Sequence, residues 1–170
     1  YNFIIMVKIT KFLVLVFTGI TGVLFCQSGK ILYVQENNNV SNLVLYDTTT
    51  SETKLLTHFQ DNGEINSISV DGTGLKIIFT RPSSSYDKVN STIWMINYDG
   101  GGLCDLIEDN TQIDFKYAAI SPDGEKIAYC ANSLSLPGSY QLYVMDIKTK
   151  IPNRLTNFQP PVECSYPSFI

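Results

Sequence analysis

Histidine is almost absent from the chain, since His58 is the only one among its 170 residues. A serine-hydrolase triad needs a histidine to carry the proton between nucleophile and leaving group. Neither a Gly-x-Ser-x-Gly nor a His-Glu-x-x-His motif occurs in the sequence, so two common hydrolase signatures are missing. We therefore interpret His58 as an ordinary surface loop residue and predict no catalytic residue in this chain.

Charged residues are also scarce, at 16% of the chain, and 16 acidic residues against 12 basic ones give a formal charge of −4. A protein that binds nucleic acid through its phosphates generally has a basic face, so we expect no nucleic-acid partner. The 11 glycines and 7 prolines are too few for a collagen-like or low-complexity chain. A hydrophobic fraction of 44% is too high for a disordered one. These exclusions leave a globular domain.

Paired cysteine motifs are missing as well. Cys104, Cys130 and Cys164 form no Cys-x-x-Cys pair, so their spacing predicts no zinc site. The acidic residues between Asp105 and Asp114 do not have the spacing of a calcium loop. We predict no bound metal or cofactor, and the sequence leaves open whether any two of the three cysteines form a disulfide.

The N-terminus differs in composition from the rest of the chain. Residues 6–11 include two lysines, residues 12–25 form an apolar run, and polar residues begin at Gln27. A cationic segment followed by 7–15 apolar residues is typical of a secretory signal peptide, and the run is shorter than the roughly 20 residues of a membrane span. We predict that residues 1–5 are non-native upstream residues and that residues 6–26 are a signal peptide. The mature protein would then be exported, to the periplasm or as a secreted protein.

Three other interpretations of this segment stay open. It could be a strand or helix of the folded domain, an uncleaved membrane anchor, or a lipoprotein signal in which Cys26 is the lipidated first residue. Lipoprotein signals usually have a small residue before that cysteine, and Phe25 stands there in this chain. We expect contact with a membrane only through such a segment or lipid.

From Lys30 onward the chain repeats itself about every fifty residues. Three β-branched and aromatic runs carry the repeat, and they are residues 30–34, 76–80 and 126–130. After each run comes a polar stretch and then a second run, which ends at Asp47, Asn97 or Asp146. Such runs, bounded by turn residues, are typical of strands. We predict four antiparallel strands per copy and no helix longer than one turn outside the N-terminal segment.

A turn motif opens the second and third copies. Its residues are Ser69, Asp71 and Gly72 in the second copy and Ser121, Pro122, Asp123 and Gly124 in the third. Serine first, proline second and glycine fourth favour a type I turn, so we predict that each motif joins two antiparallel strands. In this alignment Val70 replaces the proline, and the second copy has two additional residues before Ile77.

Four antiparallel strands per forty to fifty residues are typical of a β-propeller blade. The third copy, with residues 121–124, 127–129, 142–146 and 154–156, resembles the Pro-Asp-Gly type of WD-like repeat of the TolB-like propeller family. Similar repeats occur in propellers of the prolyl oligopeptidase family and of the tricorn protease. The resemblance implies an all-β fold of about three four-stranded antiparallel blades, which is an incomplete ring.

In this interpretation the partial propeller covers residues 27–170. The blades span about residues 28–64, 65–114 and 115–164, and residues 165–170 begin the next one. The first copy lacks its opening strand, and further blades are expected from sequence downstream of Ile170.

The resemblance implies a non-catalytic, exported propeller that acts as a protein-binding scaffold at the cell envelope. One alternative is the N-terminal propeller of an exported serine peptidase of the prolyl oligopeptidase type, whose catalytic domain would lie beyond Ile170. Another is a cell-wall-associated protein with a downstream peptidoglycan-binding domain.

Three polar stretches differ in length and sequence between the copies, and we predict them to be long binding loops. They are residues 35–41, 81–91 and 131–140. Arg81, Tyr86 and Tyr140 are the candidate contact residues. Trp94 is expected to pack in the core or between blades, because the other copies have Val44 and Tyr143 at its position.

Overall fold

The computed structural model describes residues 5–9, 12–16, 25–27, 29–82, 91–107, 113–133 and 136–170. In these residues the chain is all strand, turn and coil, and none of them belongs to a helix. The chain divides into two compact units, Tyr1–Ile65 and Asn66–Ile170.

The first unit contains a two-stranded and a four-stranded antiparallel sheet. Its strands are β1 (Ile5–Ile9), β2 (Phe12–Val16), β3 (Phe25–Gln27), β4 (Lys30–Asn37), β5 (Val40–Asp47) and β6 (Glu52–Leu55). Strand β1 pairs with β2, and the first four-stranded sheet has the order β3-β4-β5-β6. Leu32 and Val34 alternate with more exposed residues along β4, as expected of a strand with one buried face.

Strand β3 corrects the prediction that the first copy lacks its opening strand. Phe25, Cys26 and Gln27 pair with Leu32, Ile31 and Lys30. The edge of β4 carries backbone donors and acceptors that need partners, and residues 25–27 supply them. Phe25 and Cys26 lie within the predicted signal peptide, residues 6–26, and Gln27 follows it. The assignment of that segment as a signal peptide stays a prediction.

The predicted loop 35–41 is instead a tight hairpin. Strand β4 runs to Asn37 and β5 begins at Val40, so only Asn38 and Asn39 connect them. Their φ angles are 51° and 63°, and asparagine tolerates this left-handed conformation better than most residues. The sequence prediction was wrong here because the polar residues belong to strands.

The second unit contains two four-stranded antiparallel sheets. Their strands are β7 (Ser67–Val70), β8 (Lys76–Pro82), β9 (Ser91–Asn97), β10 (Cys104–Asp105), β11 (Phe115–Ile120), β12 (Lys126–Ser133), β13 (Leu136–Asp146) and β14 (Pro152–Arg154). The second sheet has the order β7-β8-β9-β10 and the third has the order β11-β12-β13-β14. The prediction of three four-stranded antiparallel sheets is therefore confirmed.

An apolar core lies between the second and third sheets. Ile78 and Ile93 belong to the second sheet, and Leu106 directly follows its last strand. Phe115 and Ile127 belong to the third sheet. Each is at most 4% exposed. Burying a side chain of this size contributes about 1.5–3 kcal/mol, so this core is the main reason why the two sheets stay together.

Strands β7 and β11 run side by side in the same direction. The backbone N–H of Ala118 donates to Ser67 Oγ at 3.2 Å, and that of Ile120 donates to Ser69 Oγ at 3.1 Å. Because β7 and β11 are parallel, equivalent connections of the two sheets lie at the same end of the unit.

Candidate functional site

The second unit has two ends with different connections. The turn end comprises the β7–β8, β9–β10, β11–β12 and β13–β14 turns, and the loop end comprises the other connections and the segment after β14. Parts of the loop end, residues 83–90, 108–112 and 134–135, lie outside the described residues. The turn end contains the motif residues that the sequence singled out.

The structure shifts the turn of the second copy by two residues relative to the predicted alignment. Ser69 lies within β7, and the turn runs from Asp71 to Gly74. Gly74, with a φ of 73°, has the position of Gly124, with a φ of 70°. With this alignment no residues are inserted before Ile77, so Asp71 corresponds to Ser121.

In each turn a hydroxyl donates a hydrogen bond to a carboxylate two residues away. The carboxylate comes first along the chain in the second copy, and the hydroxyl comes first in the third. Thr73 donates its hydroxyl hydrogen bond to Asp71 Oδ2 at 2.9 Å, whereas Ser121 donates to Asp123 Oδ1. The Ser121 hydrogen bond, followed by the N–H of Glu125, lowers the pKa of Asp123 below its usual value. Both turns close their strands with the same chemistry, which supports a structural role for these residues.

The two turns also contact each other. The N–H of Gly72 donates to the carbonyl oxygen of Pro122 at 2.8 Å, and Lys76 Nζ donates to the carbonyl oxygen of Gly124 at 2.9 Å. A Cβ on Gly72 would lie 2.6 Å from Pro122 O. The turn motif therefore joins neighbouring sheets as well as neighbouring strands.

The loop end is organised around Asp114 and Tyr140. The Tyr140 hydroxyl donates a hydrogen bond to Asp114 Oδ2, while Asp114 Oδ1 accepts from the N–H of Ser91 at 2.8 Å. Lys116 Nζ lies 4.0 Å from the centre of the Tyr140 ring, within cation–π range. Burial, reinforced by the Asp114 carboxylate, raises the pKa of Tyr140, so its hydroxyl remains a donor at neutral pH.

A buried glutamine fixes the segment after β14 at this end. Gln141 Oε1 accepts from the N–H of Phe158 at 2.7 Å and from the Thr156 hydroxyl at 3.1 Å. Gln141 Nε2 donates to the Phe158 carbonyl at 2.9 Å. The Thr156 oxygen in turn accepts from the N–H of Leu142. We call this arrangement the amide clamp.

The first unit contains the same amide clamp. Asn42 Oδ1 accepts from the N–H of Phe59 at 2.7 Å and from the Thr57 hydroxyl at 2.9 Å, and Thr57 Oγ1 accepts from the N–H of Leu43. The sequence signal was the shared Leu-Thr-x-Phe at residues 56–59 and 155–158. Its link to Asn42 and Gln141 could not be seen without the strand register.

Beyond the clamp, residues 159–166 are held against the third sheet. Cys164 forms a disulfide with Cys130 of β12, and its N–H donates to the Tyr140 carbonyl at 2.9 Å. The ring of Tyr166 lies 4.0 Å from that of Tyr117. Val162 and Tyr166 nevertheless remain 51% and 74% exposed, so this fixed segment presents apolar and aromatic surface to solvent.

The predicted contact residues are only partly placed as expected. Arg81 and Tyr140 lie in strands and are buried, so neither is a free loop residue, and Tyr86 lies outside the described residues. The stretch 131–140 is largely the β12–β13 hairpin, because both strands extend into it. Trp94 is half-buried and stacks on Phe79, with ring centres 6.3 Å apart, and His58 is exposed; both are as expected.

No group of three or more His, Cys, Asp or Glu side chains that could hold a metal ion occurs among the residues that the structure describes. The same portion of the chain contains no helix with the length and apolar character needed to span a bilayer.

No protein-family model matches the sequence, and no curated protein matches it. Solved structures do match. TolB from Acinetobacter baumannii has a TM-score of 0.62 and 18% identity over 86% of this chain, and a putative TolB from Agrobacterium tumefaciens has 0.63 and 16% over 91%. A puromycin-hydrolysing peptidase of Mycobacterium tuberculosis has 0.57 and 10% over 76%.

This chain spans 41%, 60% and 20% of those three proteins, in the same order. At these identities the matches establish the fold and nothing more. The fold is a β-propeller, and the described residues form three of its four-stranded sheets, whereas four to eight such blades typically close a ring.

Proposed function

We propose that this chain belongs to an exported, non-catalytic β-propeller that binds other proteins at the cell envelope through the loop end of its second unit. The observation that carries the proposal is the fixed segment 156–166, which exposes Val162 and Tyr166. Exposed aromatic and aliphatic side chains on a rigid support are typical of protein-binding surfaces.

The way this segment is held matters for affinity. The amide clamp fixes its start, and the Cys130–Cys164 disulfide fixes its end. Between them, Ser139 Oγ donates to the Val162 carbonyl at 3.0 Å. A surface that is already ordered loses little conformational entropy when a partner binds.

The disulfide also supports export. Disulfides form and persist in the periplasm and outside the cell, and they are rare in a reducing cytosol. Cys130 is fully buried, so its bond with Cys164 is built into the third sheet. The resemblance to the TolB-like family, together with the predicted signal peptide, favours the same location.

A photo-cross-linking amino acid at position 166 tests the binding surface in the complete protein. Position 151 on the turn end is the matched control, because Ile151 is 70% exposed and Tyr166 74%. We expect discrete adducts with envelope proteins from position 166 and none of these from position 151. Equal adducts from both positions would contradict binding at the loop end.

The second candidate is a propeller that gates a serine peptidase, and the likeness to the Mycobacterium tuberculosis peptidase favours it. Labelling of the complete protein with a fluorophosphonate probe distinguishes the two. The proposal of a non-catalytic propeller predicts that the probe does not label the protein. Covalent labelling of the native protein that is lost after denaturation would support the serine peptidase instead.

A further inference from the structure

A cavity of about 410 Å³ lies between the second and third sheets. Leu106, Ile107 and Ile113 line one wall, and Tyr129, Tyr143 and Met145 line the other. Leu106 directly follows β10, a strand of only two residues. The volume of the cavity lies in the range that holds small organic ligands.

The two tyrosine rings of this wall are nearly parallel. The rings of Tyr129 and Tyr143 lie opposite each other on β12 and β13, 5.4 Å apart and inclined by 7°. A flat aromatic surface opposite branched aliphatic side chains favours a planar ring over a globular aliphatic group.

Tyr129 and Tyr143 each bring a hydroxyl to this wall, and that of Tyr129 is the more closely enclosed. Tyr129 is 3% exposed, and burial raises its pKa, so the hydroxyl stays protonated. It makes no hydrogen bond to any of the residues that the structure describes. A hydroxyl without a protein partner at the cavity wall is available to an acceptor that enters the cavity.

One charged side chain lies at the cavity among the residues that the structure describes. Of the described residues that line the cavity, Lys150 alone is charged. It follows the β13 strand, is exposed, and lies beside the apolar wall. An exposed ammonium at the rim of an apolar cavity attracts an anionic group while leaving the ring of a ligand inside.

We propose that this cavity binds a small planar aromatic carboxylate. The ring lies between Ile107 and the Tyr129–Tyr143 stack, an acceptor of the ligand receives the Tyr129 hydrogen bond, and the carboxylate lies near Lys150. The site is separate from the protein-binding surface at the loop end, and either proposal can fail without the other.

The test uses 2-naphthoate and its neutral analogue 2-naphthamide as probes, titrated calorimetrically into the complete protein. We expect saturable naphthoate binding with a Kd below about 1 mM. Tyr129→Phe should weaken it about fivefold, because the ring stack remains and only the donor is lost. Lys150→Gln should weaken naphthoate about threefold and leave naphthamide unchanged.

A pair of alanines on β12 provides the matched control. Ala131 lines the cavity, whereas Ala128 faces the other side of the sheet. Ala131→Leu should abolish naphthoate binding and Ala128→Leu should preserve it. Thermal unfolding identifies any variant that does not fold. If an alanine variant is excluded in this way, the Tyr129→Phe and Lys150→Gln variants still test binding in the cavity. Absence of saturable binding, or affinities that Tyr129→Phe and Lys150→Gln both leave unchanged, would overturn the proposal.

Discussion

Gly72 donates its backbone N–H to the carbonyl oxygen of Pro122 at 2.8 Å, which links the β7–β8 turn directly to the β11–β12 turn. The two residues occupy the same position in consecutive copies of the repeat. Lys76, which also bonds to the neighbouring turn, reinforces the link. These two turns are thus joined directly at one end of the second unit, and the absence of a Cβ on Gly72 leaves room for the backbone of Pro122.

Replacing Gly72 tests this contact. A Cβ at Gly72 would lie 2.6 Å from Pro122 O, which belongs to backbone and cannot move aside easily. We expect Gly72→Ala to lower the free energy of unfolding by about 1–3 kcal/mol, measured by urea denaturation.

Gly101→Ala is the control for the Gly72 variant. Its nearest neighbour would be Asp99 Oδ1 at 3.2 Å, which is the end of an exposed side chain rather than backbone. We expect a change within about 0.5 kcal/mol. Equal losses in the two variants would mean that the Gly72–Pro122 contact contributes nothing specific.

The strand content of the chain was predictable because its evidence is local. Runs such as Ile77–Phe79 and Ile127–Tyr129 are β-branched or aromatic and are bounded by turn residues, so the four-stranded copies could be recognised without a structure. The resemblance to propeller repeats then supplied the way in which the copies pack.

The exact strand register and the long-range pairing of residues could not be predicted from the sequence. The sequence Ser69–Gly74 contains two glycines, and only the hydrogen bonds of Asp71 and Thr73 decide which one closes the turn. Likewise, the pairing of Cys130 with Cys164 depends on a segment that leaves the third sheet and returns to it. A one-dimensional pattern contains neither kind of information.

The amide clamp of the first unit predicts that replacing Thr57 with the isosteric valine lowers the free energy of unfolding markedly. Thr57 is 1% exposed, accepts from the N–H of Leu43 and donates to Asn42. Thr57→Val keeps the shape but leaves the buried N–H of Leu43 without its acceptor, while Asn42 Oδ1 retains only the hydrogen bond from Phe59. We therefore expect a loss of about 1–3 kcal/mol of unfolding free energy. Thermal and urea denaturation measure it.

Thr53→Val is the matched control, because Thr53 is exposed on the neighbouring strand β6. It should change stability by less than about 0.5 kcal/mol, and valine's strand preference could even raise it slightly. Similar losses in both threonine variants would remove the argument for the clamp.

Acid titration should reveal the turn carboxylates. Hydrogen bonds lower the pKa of Asp123, chiefly the one from Ser121, and they lower the pKa of Asp47, chiefly the one from the Thr49 N–H. A carboxylate whose pKa is depressed in the folded state contributes stability above its unfolded pKa. That contribution is lost as the pH falls below 3.8, the usual value, and through the folded pKa.

Ser121→Ala removes the largest cause of the shift at Asp123. Carboxyl ¹³C chemical shifts followed from pH 6 to pH 2 should show the pKa of Asp123 moving up toward its ordinary value. Asp47, which lies in the other unit, serves as the internal control and should titrate unchanged. A pKa of Asp123 that stays depressed in the variant would assign the shift to the backbone donors instead.

The last prediction concerns the disulfide between Cys130 and Cys164. Peptide mapping without reducing agent should recover residues 130 and 164 linked, while the exposed Cys104 reacts with an alkylating reagent in the folded protein. Cys164→Ser should lower the free energy of unfolding by about 2–4 kcal/mol, because the closed loop of 34 residues no longer restricts the unfolded chain. Cys104→Ser, which removes a free thiol, should leave it nearly unchanged. Protein recovered from its native cell with Cys104, Cys130 and Cys164 all alkylated would contradict both the disulfide and the export that we infer from it.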